Sequence, residues 1–251
     1  MIRIYEEENY EMMSQRAARF MAAQVLAKPD SVLGLATGSS PVGMYTELAK
    51  KNAEGKITFR NVRTVNLDEY YGLDPAHEQS YRYFMNKNFF SKIDIQMENT
   101  HLPNGKNPDP AAECARYDAL IESLGGIDMQ LLGIGRDGHI GFNEPGDSFV
   151  PGTNYVRLTE DTIDANARFF DSPDDVPRYA LTTGIRAILQ AKKILMVVNG
   201  KNKAQVLCDA LFGDVNPKNP ASILQLHPDV VVCGDADALS VIRQQHPEAI
   251  L

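Results

Sequence analysis

Leu131-Leu132-Gly133-Ile134-Gly135-Arg136-Asp137-Gly138-His139-Ile140-Gly141-Phe142-Asn143-Glu144-Pro145 runs from a buried strand into a glycine-rich turn. Met129, Leu131, Leu132 and Ile134 suit a strand covered on both faces, the kind found in parallel sheets. Glycines then stand at 133, 135, 138 and 141. Glycine lets the backbone take positive φ and lets a ligand approach closely. Among the glycines and just after them stand three side chains able to move protons, Asp137, His139 and Glu144. A carboxylate bonded to one ring nitrogen fixes an imidazole's tautomer and leaves the other nitrogen to act. The stretch is therefore predicted to be an acid–base site at the end of a buried strand. In a simpler reading, Asp137 and Asn143 cap turn amides and His139 is incidental.

The same plan recurs on both sides of this stretch. Ser31 to Ala36 reads as a buried strand that leads into Thr37-Gly38-Ser39-Ser40-Pro41. Ser40 is placed to be an N-cap and Pro41 the first residue of a helix through Ala49. A helix start of this kind points amides and a positive dipole end at an anion. It is neither a Walker loop nor a dinucleotide fingerprint. Val62 to Leu67 is a further strand, and it ends at Asp68-Glu69, where α/β proteins place ligand groups. Ile194 to Val198 is the strongest buried strand. It is followed by Asn199-Gly200-Lys201-Asn202-Lys203 and a helix, and Val230 to Cys233 is the last strand. Helices are predicted over Tyr10 to Leu26, over Ser80 to Phe90, and from Pro110 to about Leu124 with Asp109 as cap. Strands alternating with helices imply a parallel sheet covered on both faces. No linker divides the chain, so 1–251 is expected to be one domain. Residues 146–186 are polar and hold three prolines, with no clean strand before Tyr179. Set over the glycine-rich loop, they form a lid candidate.

Composition narrows the function. The 251 residues carry a net charge of −8, with cations scattered and no polybasic block. Nucleic acid is not an expected partner. Cys114, Cys208 and Cys233 are far apart and odd in number, which supports neither a disulfide framework nor a cysteine zinc site. Reduced thiols, no apolar signal core at the N-terminus and no long apolar run lead to the expectation of a cytoplasmic protein without a membrane partner.

Four motifs carry a resemblance. Leu67-Asp68-Glu69-Tyr70, the stretch from Gly133 to Pro145, Asn166-Ala167-Arg168-Phe169-Phe170 and Leu224-Gln225-Leu226-His227-Pro228 are similar, in order, to those of the glucosamine-6-phosphate deaminase family. The resemblance implies an α/β fold, a single-domain Rossmann-like three-layer sandwich with a mostly parallel sheet. It implies a cofactor-free, metal-free enzyme that converts D-glucosamine 6-phosphate and water into D-fructose 6-phosphate and ammonia, in amino-sugar catabolism. Carried over by position, Asp68 is the proton-transferring base, and Asp137, His139 and Glu144 open the sugar ring. Arg168 and Lys203 hold the phosphate together with Gly38, Ser39 and Ser40. The residue types suit that chemistry. A neutral histidine can take one proton from the anomeric hydroxyl and return another to the ring oxygen. One carboxylate can shuttle a proton between C2 and C1. One histidine among acids is a weak metal site.

Rival readings on this fold are a galactosamine-6-phosphate deaminase and a 6-phosphogluconolactonase, which needs no C2 base. A sugar-phosphate-sensing module without catalysis, or a Schiff-base enzyme using Lys203, are rivals from other classes. Some members of the resembled family are hexamers activated by N-acetylglucosamine 6-phosphate at a subunit interface, through an Arg and a Lys two residues apart and a longer C-terminal tail. Asn154 and Val156 stand at the matching positions here, Asp147 lies near them, and the sequence ends at Leu251. The expectation is a monomer or small homo-oligomer with no such regulation.

Overall fold

The computed structural model describes residues 1–167, 170, 172 and 175–251. In chain order the elements are β1 (Ile2–Glu7), α1 (Tyr10–Ala27), β2 (Val32–Leu35), α2 (Val42–Ala53), β3 (Arg63–Asn66), β4 (Asp68–Tyr70), α3 (Tyr81–Asn88), β5 (Thr100–His101) and α4 (Pro110–Ser123). There follow β6 (Met129–Leu132), β7 (Asn154–Arg157), α5 (Glu160–Ala167), β8 (Tyr179–Thr182), α6 (Ile185–Leu189), β9 (Ile194–Val198), α7 (Ala204–Phe212), β10 (Val230–Asp235) and α8 (Ser240–Gln245).

Seven strands form one sheet in the order β1-β10-β9-β6-β2-β3-β5, with every pairing parallel. Alternate residues of a strand face opposite layers. Leu33 and Leu35 of β2 point into the larger core with Met13, Ala17 and Met21 of α1 and Met44 and Leu48 of α2. Val32, and Val65 opposite Gly34 on β3, face Tyr117 and Ile121 of α4 instead. The result is the expected three-layer α/β sandwich. The start of α4 is set by the cap read from sequence, and α3 by Ser80, which was read as its first residue and is its cap. Asp109 accepts from Ala112 N at 3.0 Å with Pro110 behind it, and Ser80 accepts from Tyr83 N at 3.0 Å.

Two expectations are corrected. Ser40 does not cap α2: the helix begins after Pro41 without a side-chain cap, and Ser40 Oγ donates to Asn199 Oδ1 at 2.6 Å. The polar segment 146–186 is not strand-free before Tyr179, because Asn154–Arg157 is a strand. It pairs antiparallel with β8, and β8 pairs antiparallel with β4, giving a second sheet of order β4-β8-β7. The burial pattern of β7 alternates between half-buried and exposed residues, so its sequence carries no apolar signal. A small core of Tyr70, Phe142, Leu158, Ile163, Val176 and Ala180 joins this sheet to α5.

The two sheets meet at the chain segment 66–68. Leu67 N still bonds Leu35 O as if continuing β3, while Thr183 N bonds Leu67 O. Asp68 is therefore the first residue of the second sheet, set at the carboxyl end of the first. From β2 the chain moves outward to β3 and β5, whereas from β6 it moves the other way to β9 and β10. The boundary between β2 and β6 is the topological switch point, where α/β sheets leave a crevice for ligands.

Candidate active site

A cavity of about 360 Å³ opens at that switch point. It is lined by the loop after β2 (36–41), by Leu67 and Asp68, by the loop after β6 including His139, by Tyr81 and Thr162, and by Asn199, Gly200, Asn202 and Lys203. Of the residues singled out from sequence, Gly38, Ser39, Ser40, Asp68, His139 and Lys203 all face it. Asp137 and Glu144 stand behind His139. Arg168 lies outside the described residues. His227, from the fourth motif, is not among the lining residues. It is buried at the start of β10, with Nε2 2.7 Å from Ala191 O and Nδ1 accepting from Asp229 N.

The loop after β6 is a tight fold-back. Gly135 N bonds His139 O, and Gly138 N bonds Gly135 O. The imidazole lies directly over Gly135, where a Cβ would come within 2.4 Å of the ring. That position cannot carry a side chain. Asn143, read from sequence as a turn cap, instead donates from Nδ2 to both Ile140 O and Thr183 O, each at 2.9 Å. Phe142 N bonds Thr182 Oγ1 at 3.1 Å. These bonds pin the loop to the end of β8, the strand paired with Asp68.

His139 Nδ1 lies 2.8 Å from Asp137 Oδ1 and 3.3 Å from Glu144 Oε2. Neither contact is aligned well enough for a full hydrogen bond, so Nδ1 and Glu144 Oε2 are short of a well-directed partner. His139 N also bonds Asp137 Oδ1 at 3.1 Å. Burial opposes a charge on the ring, yet the close carboxylates of Asp137 and then Glu144 prevail and hold the imidazole up at about 9. In spite of its own burial, Asp137 is held well below the usual carboxylate range by His139. The two carboxylates therefore favour the protonated form of the ring, whereas the sequence reading uses a neutral histidine. Asp137, His139 and Glu144 each offer a ligating atom within 4.8 Å of the others, but one nitrogen with two carboxylates is a weak set for a transition metal, and charge pairing already accounts for the convergence.

Asp68 is 6% exposed. Burial, and then the charge of Glu69, push its carboxyl up to about 8, with His139 working in the other direction. Sequence reasoning placed Glu69 beside Asp68, where α/β proteins hold ligand groups, and gave it no role of its own. The residue is in fact buried, and it accepts from Tyr70 N and Tyr81 N on Oε1 and from Arg82 N on Oε2, at 2.8–2.9 Å. It seats the first turn of α3, which is where the cavity-lining Tyr81 sits. Burial raises Glu69 to about 7 against those three bonds. Tyr81 falls in the helix predicted over Ser80 to Phe90, with no role at the site assigned to it from sequence. It stacks on Phe142 at 5.9 Å, and its place at the cavity follows from a long-range contact that helical periodicity does not reveal.

The opposite wall is built by backbone. Gly38 takes φ +96° with open space around it, so glycine is required there by conformation. Tyr10 of α1 clasps this loop, donating to Ser39 O at 3.0 Å and accepting from Gly43 N at 2.8 Å. Next to it, Gly200 N bonds both oxygens of Asp235 at 3.0–3.1 Å, fixing the turn that carries Lys203. An uncapped helix start, a serine-rich turn and a lysine make a wall suited to an anion. A histidine and a buried carboxylate make the other wall suited to proton transfer.

A fold of this class, with acid–base groups facing an anion wall across a switch-point crevice, is a sugar-phosphate type of site. The chain belongs to the glucosamine-6-phosphate isomerase/6-phosphogluconolactonase family, whose model matches residues 6–232. It is 54% identical to the glucosamine-6-phosphate deaminase of Geobacillus sp. (strain WCH70), over 97% of each chain. It is 52% identical to that of Halothermothrix orenii, over 96% of this chain and all of the relative. A solved structure of a monomeric glucosamine-6-phosphate deaminase superposes with a TM-score of 0.93 at 48% identity, covering 95% and 99% of the two chains. A 6-phosphogluconolactonase from Thermotoga maritima superposes at 0.74 with 22% identity over 94% and 99%, a likeness of fold alone.

Proposed function

We infer that this chain is a glucosamine-6-phosphate deaminase, converting D-glucosamine 6-phosphate and water into D-fructose 6-phosphate and ammonia. The observation that carries the reading is the presence, in one cavity, of a buried carboxylate at Asp68 and the His139 ring flanked by Asp137 and Glu144. A lactone hydrolysis gives Asp68 no proton to move. Relatives near half-identical over nearly the whole chain are deaminases, whereas the lactonase likeness extends to fold only.

The phosphate lies against Gly38, Ser39, Ser40 and Lys203, with Arg168 assigned there by the family motif. His139, charged at rest, gives its proton to the ring oxygen, and the anomeric hydroxyl gives its own to the group formed with Asp137 and Glu144. The ring opens to the 2-amino aldehyde. Asp68 then removes the C2 proton and returns it to C1, while O1 gains a proton and the nitrogen loses one, so C1 is reduced to an alcohol and C2 is oxidised to an imine. Water adds to the imine and ammonia leaves. A buried base near neutrality suits a proton shuttle, because it can both take and release the proton.

The lid proposed over 146–186 narrows, in this reading, to the part between β7 and β8, because β8 is tied to the Asp68 strand. The oligomeric state proposed is monomeric, as for the monomeric deaminase of known structure. The location proposed is cytoplasmic; among the described residues no helix is long and apolar enough to cross a membrane. The test is release of ammonia from glucosamine 6-phosphate, with galactosamine 6-phosphate and 6-phosphogluconolactone as alternatives. Faster turnover of either alternative would replace this reading.

A further inference from the structure

Glu144 reaches His139 with one oxygen only. Its other oxygen is held from outside the loop. Thr162, on α5 and 3% exposed, donates its hydroxyl to Glu144 Oε1 at 2.7 Å. Thr159, just before the helix, donates its own hydroxyl to Thr162 Oγ1 at 3.1 Å and accepts from Thr162 N at 3.3 Å. The bonds form a directed chain: amide at the start of α5, Thr159 hydroxyl, Thr162 hydroxyl, carboxylate. Bonds linked head to tail in this way polarise one another.

The two ends of the chain belong to different parts of the fold. Glu144 follows β6 of the large sheet, while Thr162 is carried by the segment between β7 and β8 of the small one. A carboxylate attached by a flexible side chain is oriented only when both oxygens have fixed neighbours. Here Oε2 sits 3.3 Å from His139 Nδ1 without a well-directed bond, so the orientation of the group depends on Oε1. Thr162 also lines the substrate cavity, which puts the link where docking of α5 and occupation of the site meet.

We propose that Thr162 is a positioning residue that couples α5 to the acid–base group: its hydroxyl aims Glu144 at His139, so the group is complete only while α5 is seated on the loop after β6. The inference rests on the deaminase reading for the step it serves. The hydroxyl does not exchange a proton with substrate; it fixes the carboxylate that faces the imidazole.

Thr162→Val keeps the shape and removes the donor, and Thr162→Ser keeps the donor and removes the methyl group. Ammonia release is measured for the wild type and both variants, and again with each change placed on Glu144→Gln. A bond to a charged group is strong enough that its loss in Thr162→Val should lower kcat about tenfold or more. KM should stay within about threefold, since the ground-state contacts remain. Thr162→Ser should recover most of the rate. On Glu144→Gln the valine change should add nothing further, because residues acting through one another are not additive. Four results overturn the inference: wild-type kcat in the valine variant, a serine variant as slow as the valine one, a loss confined to KM, or full additivity with Glu144→Gln. Thr162→Ala gives the same comparison if the valine variant does not accumulate. A wild type that releases no ammonia would instead remove the deaminase reading, and this inference with it.

Discussion

At the scale of single residues, the two titrating groups of the cavity predict a pH profile. Asp68, with its carboxyl raised to about 8, serves as a base only when ionised, so its active fraction grows as pH rises through that value. His139, held up at about 9, serves as a donor only when protonated, so its active fraction falls above that value. The free-enzyme quantity kcat/KM is therefore expected to form a bell with its maximum between about 8 and 9. A profile that is flat from neutrality to pH 10 would contradict both assignments. Glu69→Gln removes a negative neighbour of Asp68 and should move the acid limb to lower pH, measured by the same profile. Asp68→Asn should cost at least about a hundredfold in kcat while substrate still binds, as is usual for a positioned acid–base group. A variant keeping a tenth of the rate would show that Asp68 is not the shuttle. Asp68, Asp137, His139 and Glu144 were legible in the sequence because their chemistry is local to two short motifs. Tyr81 and Thr162 were not, because each reaches the site across a distance in sequence that periodicity and caps do not encode, and the bonds from Glu69 to the start of α3 are long-range in the same way.

At the scale of elements, strand–loop–helix units were legible wherever both faces of a strand are apolar, as at β2, β6, β9 and β10. The small sheet was hidden. β7 has one half-buried face, and β4 reads as the tail of β3 until Thr183 takes up the carbonyl of Leu67. That single change of partner turns Asp68 from a strand end into the first residue of another sheet. Ser40 is instructive in the same way. A serine before proline at a helix start suggests a cap, but the hydroxyl finds Asn199, joining the two loops that flank the anion wall. Lys203→Ala removes a cation from that wall and is expected to raise KM at least about tenfold with a smaller effect on kcat, since contacts to a phosphate are charge-assisted. Glucosamine without its phosphate should be a poor substrate of the wild type. Equal kcat/KM for the two sugars would detach the phosphate from this wall.

At the scale of the whole molecule, the question is whether another ligand can bias the site. Activated members of the resembled family use two cations two residues apart, near the start of the segment that follows the acid–base loop. Here that segment is β7, with Asn154 and Val156 on one face of the strand. Asn154 Nδ2 donates to Gly152 O at 3.2 Å, and Val156 packs at the edge of the small core. The other face carries Arg157, but its neighbour there is Tyr155, stacked on Tyr179 at 4.8 Å. Arg157 points to Glu160, 3.9 Å away. Asp147 is paired with Lys218 at 2.7 Å, so a cation near this region is already neutralised. A ligand shifts a conformational equilibrium only through differential affinity for the two states, and here Arg157 and Arg178 already share the Glu160 carboxylate, each 3.9 Å from it. Rates against glucosamine 6-phosphate are expected to be hyperbolic and unchanged by millimolar N-acetylglucosamine 6-phosphate. Sigmoidal rates that become hyperbolic on adding it would mean that Arg157 leaves Glu160 to build an effector site, and Arg157→Ala should then abolish the response.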